Sequence, residues 1–451
     1  MAYNFQKGDM GAMKKIVGSA ALFMLVAAGL SGCGGGSAKE PDTKAGQPQP
    51  EVKKDPYTMT LYAAGVSAAE FDTRFRKKLE TKFPHITFNY KTNQVGATIT
   101  ELVAQGDIPD LIRTDIPTLK TLYMDLGLSY DLRDQIKKNK YDMTRFNQVF
   151  TQEIVDVVRT GEVMGLPVPP YFPQVLYYNK DLFDKFGQPY PKDGMTWDEI
   201  YDVAKKMTRV EGGQTYRGFS ANTMAWLRDN QFSNPILDPK ADGVSDTEKW
   251  RQVFTILKRM YDIPNNGISK TAAEETGIFA KGNVAMQLNQ HSIYLIFPPE
   301  LNWDMVATPV IPGGPKLMGQ RGPAYWSITQ QSKHKDDAFQ VIMEMLGDDV
   351  AMEDSRSGIP TVLNNKDVQA ALGKGHAVYS KKNMNAVNFY PPAPPTPKRQ
   401  NGLIDVAAGT QQNLMSATFQ KVGLNEMDVN TALRDLEEQL KKEIEKEKSK
   451  K

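Results

Sequence analysis

Apolar residues along this chain alternate between a spacing of two and a spacing of three to four, in a repeating order. From Thr58 to Tyr62, Met59 and Leu61 fall on one face, the period-two pattern of a strand. Ser67 and Glu70 then stand at capping-box spacing, and Phe71, Phe75 and Leu79 follow at helical intervals. Pro84 stops that helix, and His85 to Tyr90 alternates again as a second strand. Strand, helix and strand within about 35 residues form a βαβ unit, and a parallel sheet follows from it.

The order recurs downstream. Ala97 to Gln105 reads as a helix, and Asp110-Leu111-Ile112 as a short buried strand ending in a polar turn at Arg113-Thr114-Asp115. Thr196 and Glu199 make another capping box, with Ile200, Val203 and Met207 on the inner face. Ser245 and Glu248 open a helix that runs to about Tyr261, and Asp336 to Leu346 is a further one. The last helix, near Thr431 to Lys448, carries Leu433, Leu436, Leu440 and Ile444 on one stripe; its Glu/Lys run is a solvated face. Pro391 to Pro397 predicts an extended loop. Strands alternating with helices over this length predict an α/β fold.

The N-terminus has a different pattern. Lys14 and Lys15 precede an apolar run from Ile16 to Leu30, and Ser31-Gly32-Cys33 follows. A basic segment, a short apolar stretch and small residues make a secretory signal. The run is too short for a comfortable membrane span of about 20 residues. The ending resembles the lipobox of bacterial lipoproteins, which implies cleavage before Cys33 and a diacylglycerol and palmitate-type acyl anchor on its thiol. The alternative is an uncleaved apolar anchor. Residues 1–33 are thus expected to be a signal peptide, with Met1 to Ala12 adding nothing to it and Met13 as the expected start. Residues 34–56, rich in Gly, Pro, Gln, Lys and Glu, cannot bury enough surface to offset chain entropy and read as a flexible linker.

Composition narrows the function classes. Of 451 residues about 395 remain for folding, enough for two lobes. A net charge of +2 gives no reason to invoke nucleic acid. One Cys leaves the folded part without disulfides, and four His with that Cys argue against a His/Cys metal site. Neither a metal nor a cofactor is expected.

Three blocks then carry a family resemblance. The first is Gly165-Leu166-Pro167, Leu176-Tyr177-Tyr178-Asn179-Lys180-Asp181-Leu182-Phe183 and Thr196-Trp197-Asp198-Glu199. The second is Phe279-Ala280-Lys281-Gly282-Asn283-Val284-Ala285-Met286. The third is Tyr325-Trp326-Ser327-Ile328 with Ser332-Lys333, then a helix and Gly358-Ile359-Pro360. Read as local structure, Asn179 to Asp181 closes a strand and Gly282-Asn283 makes a tight turn. In this order, behind a lipobox, the blocks resemble the bacterial extracellular solute-binding proteins of carbohydrate ABC importers, the maltose-binding-protein-like group.

The resemblance implies a two-lobed periplasmic-binding-protein-like fold of class II, with the ligand cleft between lobes. It divides the chain into 57–167 with 309–358 as one lobe and 168–308 with 359–451 as the other. It implies a monomeric receptor, tethered to the outer face of the cell membrane, that closes on a carbohydrate and docks on ABC permease subunits.

Sugars offer hydroxyls and an apolar C–H face, so a site for one needs flat aromatics, carboxylates, amides and Arg. Trp326, beside Tyr325, stands where the family often places an aromatic, and Asp115 where it commonly has a polar contact. Trp226 follows a strand end at Gly218-Phe219-Ser220, and Asn289 and Gln290 end the strand after Gly282. Tyr171 lies in the Pro-rich entry to the second lobe, Arg356 near a lobe crossing, and Tyr390 before the Pro loop. Each has a competing structural role, as core, cap or turn. Trp197, Trp250 and Trp303 read as core.

Catalytic motifs are absent: there is no Gly-x-Ser-x-Gly, His-Glu-x-x-His or P-loop. The expectation is a binding protein and not an enzyme. A receptor for a non-sugar solute and a ligand sensor for a membrane kinase remain as alternatives.

Overall fold

The computed structural model describes residues 54–450. Cys33, the signal segment and most of the linker lie outside them. Two five-stranded sheets organise the chain. The first runs in the order Ile86–Thr92, Tyr57–Ala63, Leu111–Asp115, Ala324–Ile328, Leu166–Val168. Its first three strands are parallel, as the βαβ reading requires, and Ala324–Ile328 runs antiparallel to both of its neighbours. The second sheet runs in the order Trp303–Ala307, Phe172–Asn179, Met286–Gln290, Ser220–Ala221, with Gln320–Arg321 added at the start of Phe172–Asn179.

Each sheet is covered on both faces, which is why its strands are almost wholly apolar. On the first sheet, Met59, Leu61, Leu111 and Ile328 pack with Phe71, Phe75 and Phe339 on one side. Tyr62, Ile112 and Tyr325 pack with Leu119, Tyr123 and Ile154 on the other. On the second, Leu176, Met286 and Leu288 face Trp197, Trp226, Trp250 and the stripe Leu433, Leu436, Leu440, Ile444. Val175, Tyr177 and Met305 face Phe279, Leu372 and Met384. The result is two α/β lobes.

The chain passes between the lobes three times. It crosses from Val168 to Phe172 and returns between Ala307 and Ala324. The third passage falls between Val368 and Leu372, because Val362, Leu363 and Val368 pack in the first lobe and Leu372 in the second.

Local signals account for most element boundaries. Thr196 and Glu199 form the full reciprocal box at helix Trp197–Met207. Ser67 caps helix Ala68–Phe71, but Glu70 turns instead to Arg74, so only half of that box forms. The stripe Phe71, Phe75, Leu79 is buried as expected, yet its helix is interrupted by a π-turn over Asp72–Arg76. Asp246, not Ser245, caps helix Thr247–Tyr261; the Ser245 hydroxyl donates to Asn234 instead. The expected polar turn at Arg113-Thr114-Asp115 is strand, held by pairing with Ala324–Ile328. Gly282 takes φ +81°, the left-handed turn geometry that glycine adopts without steric cost.

Candidate functional site

In open α/β sheets, ligands sit where strand ends face a crevice. Here the strand ends at Asp115 and Ala324 in the first lobe meet those at Phe172 and Arg321, which begin the second sheet. Asp115 caps the short helix Ile116–Leu119 through the Thr118 N–H, at 3.3 Å. Its other carboxylate oxygen accepts from Arg321 Nη2 at 2.5 Å. A second pair lies across this seam: Arg228 donates to Asp229 through Nε at 2.6 Å and Nη2 at 2.5 Å. Against burial, Asp229 and then Asp115 hold the Arg228 guanidinium above its ordinary pKa, so the two pairs sense each other.

Glu153 extends the cluster. It projects from helix Gln148–Val158 and is 8% exposed. It accepts from the Tyr325 hydroxyl at 3.2 Å and presses on Gly322, where even a Cβ would collide with it. Burial pushes its carboxyl up to about 7, with Lys398 and the Tyr325 bond acting in the opposite direction. Lys398 belongs to the strap after the Pro-rich loop. The loop is held to the returning crossing by Gln320 Nε2 donating to the Ala393 carbonyl at 2.9 Å, and the strap to the first lobe by Arg159 donating to Asn401 at 2.7 Å.

Of the residues expected from sequence, the structure places Asp115 and Tyr171 at the seam. The Tyr171 hydroxyl donates across it to the Val387 carbonyl at 3.3 Å. Asn289 accepts from Asn222 at 3.1 Å and donates to Gln287 at 3.3 Å. Next to it, the Gln290 side-chain nitrogen and His291 Nε2 are buried without a partner among the described residues. Burial pushes the His291 imidazole down to about 3, which keeps it neutral.

The aromatics need correction. Trp226 is wholly buried against Trp197, ring to ring at 5.0 Å, and is core of the second lobe. Tyr325 is wholly buried too, its hydroxyl donating to the Phe150 carbonyl at 2.8 Å. Trp326 faces the opposite side of the sheet, packed among first-lobe core residues and directly across from Arg113. Arg356 is exposed, in the last turn of helix Asp348–Ser357. Tyr390 is half-buried beside Gly194, on the second lobe. Sequence reasoning missed Arg113, Glu153, Arg228, Asp229, His291 and Arg321. For Arg113 a signal existed: it shares the period-two face of Leu111.

Residues 61–352 match the family of bacterial extracellular solute-binding proteins. The chain belongs to that family. A protein of Brucella abortus (strain 2308) that carries a binding-protein name is 24% identical over 303 residues, covering 63% of this chain and 70% of that one. Among solved structures, the ABC substrate-binding protein Lmo0181 of Listeria monocytogenes, in complex with cycloalternan, aligns with TM-score 0.65 and 20% identity over 86% of this chain and 99% of that one. The sugar-binding protein MalE of Xanthomonas citri aligns with TM-score 0.67 and 17% identity over 87% and 98%. These likenesses share the two-lobed fold, and membership of an extracellular family puts the work of this solute-binding protein outside the cytoplasm. Among the described residues no helix is long and apolar enough to cross a membrane.

Proposed function

We propose that this solute-binding protein is the receptor of a carbohydrate ABC importer. It captures a sugar or oligosaccharide between its lobes and hands it, chemically unchanged, to a membrane permease. The observation that carries this reading is the seam itself. In a chain of this family, Asp115 and Arg321 pair at facing strand ends, and Arg228 and Asp229 pair at the end of helix Thr223–Arg228. Carboxylate, guanidinium and amide groups at such a junction are what hydroxyl recognition needs. Ligand that contacts both lobes binds the closed form better, and that difference in affinity supplies the closing free energy.

The sugar class is supported by the names of structural relatives, one solved with cycloalternan and one called sugar-binding. The remaining parts of the proposal rest on sequence. Cys33 is the lipid attachment site, the protein works as a monomer on the outer face of the cell membrane, and no reaction is catalysed.

The test is a thermal-shift and calorimetric screen of the purified protein against mono- and oligosaccharides. A ligand present at 100 times its dissociation constant adds about 2.7 kcal/mol of stability. The expected result is a clear shift with one sugar class and recovery of intact sugar. A silent panel with folded protein transfers the reading to another solute or to a sensor role. Released, shortened sugar indicates an enzyme. For the anchor, Cys33→Ala is expected to abolish acyl labelling, and retained label refutes the assignment.

A further inference from the structure

The first lobe holds a buried cation whose hydrogen-bonding capacity the protein uses only in part. Arg113 lies on strand Leu111–Asp115 and is 7% exposed. A guanidinium carries five N–H donors. Among the described residues, its one hydrogen bond runs from Nη1 to the Ala64 carbonyl, at 2.7 Å. Glu70 and Asp115 are close enough to favour its charge, but each is engaged elsewhere. Glu70 accepts from Arg74 at 2.7 Å and Asp115 from Arg321 at 2.5 Å. Arg74 is a like charge nearby, bound to Asp354. Burial, the largest influence, pushes the Arg113 guanidinium down to about 10, so it stays charged at neutral pH. A buried charge persists where something compensates it.

Arg113 and Arg74 line a narrow recess together with Val66, Phe75, Val168, Pro169 and Trp326. Its position is informative. Val168 and Pro169 begin the first interlobe passage, and Val66 follows the end of strand Tyr57–Ala63. Trp326 stands opposite Arg113 in the antiparallel register. Gly65 takes φ +82°, and a Cβ there would lie 3.7 Å from Nη1, against the guanidinium itself.

We propose that Arg113 is an anion-recognition residue, and that the solute captured by this protein carries a carboxylate or phosphate group bound by its free N–H donors beside Trp326. Both groups present paired oxygens that match the guanidinium fork. The inference rests on the solute-receptor reading and narrows the ligand to an acidic one.

The experiment is calorimetry on the intact protein with matched probes. The neutral arm is galactose and mannobiose, the carboxylate arm galacturonate and digalacturonate, and the phosphate arm glucose 6-phosphate and glycerol 3-phosphate. The expected result is that one acidic arm binds about 100-fold more tightly than the neutral arm, and that Arg113→Gln removes that advantage. Arg113→Lys keeps the charge without the fork and is expected to fall between. Which arm binds decides between carboxylate and phosphate. Tightest binding by a neutral sugar overturns the anion proposal and leaves the receptor reading standing. Undiminished binding of an acidic probe to folded Arg113→Gln overturns the residue assignment. Should that variant not fold, the comparison of acidic with neutral probes on the unaltered protein still decides. A folded protein that binds none of the probes overturns the anion proposal and leaves the receptor reading to the wider saccharide panel.

Discussion

Arg321 Nη2 lies 2.5 Å from Asp115 Oδ2, and this contact joins the returning crossing to the end of a strand in the other lobe's sheet. Arg321 is fixed in turn by backbone pairing with Phe172, the first residue of the second sheet's long strand. The pair is therefore a tie across the hinge. Its side chains are 40% and 29% exposed, so its contribution to stability is under about 1 kcal/mol. Arg321→Ala is expected to leave the urea midpoint nearly unchanged while increasing the radius of gyration in X-ray scattering. An unaltered scattering curve would show that the tie does not hold the lobes.

Glu153 makes a pH prediction with a definite sign. Its folded pKa is raised from 4.5 to about 7, chiefly by burial. The folded state therefore holds the proton more tightly than the unfolded state does. Stability unaffected by this group below about pH 4.5 falls as pH rises toward 7, then levels off. The full loss is on the order of 3 kcal/mol. Glu153→Gln keeps an acceptor for Tyr325 and is expected to flatten that slope and raise the melting temperature at pH 8. A variant with the same pH slope as the parent would locate the titration elsewhere.

Arg217 and Glu275 form a bidentate pair inside the second lobe, at 2.7 and 3.0 Å, with side chains 8% and 0% exposed. The Ser269 N–H and hydroxyl also donate to Glu275, at 2.8 and 2.7 Å. Removing one partner strands the other charge. Glu275→Ala is expected to cost about 3–5 kcal/mol in chemical denaturation. Replacing both residues with apolar side chains of similar volume should cost less, and a double mutant worse than the single would contradict the argument.

Trp226→Ala should behave as a core deletion, costing about 3–5 kcal/mol. Trp226→Phe, which keeps most of the contact with Trp197, should leave ligand affinity unchanged. A large loss of affinity in a folded Trp226→Phe protein would return this residue to the binding site.

The periodic elements were legible because each is a local statement. Met59 and Leu61 define a strand face without reference to anything distant. The seam was not legible, because its partners are far apart in the chain: Arg321 and Asp115 by 206 residues, Tyr325 and Glu153 by 172. The aromatics misled for a related reason. A Trp near a strand end suits a ligand platform and a buried core equally well, and only the packing of Trp226 against Trp197 assigns that one to the core. Arg113, across from Trp326, was hidden by reading Arg113-Thr114-Asp115 as a turn. A polar triplet does look like one until the pairing strand, Ala324–Ile328, is in place.

That late strand has a consequence for how the protein is made. It lies between Leu111–Asp115 and Leu166–Val168, yet it follows the whole second sheet in sequence. A ribosome must deliver nearly three quarters of the chain before the first sheet can close. Until then both neighbouring strands expose unpaired backbone, and long-range pairing of this kind is slow to form. A polypeptide with this wiring keeps its first lobe incomplete through most of its synthesis.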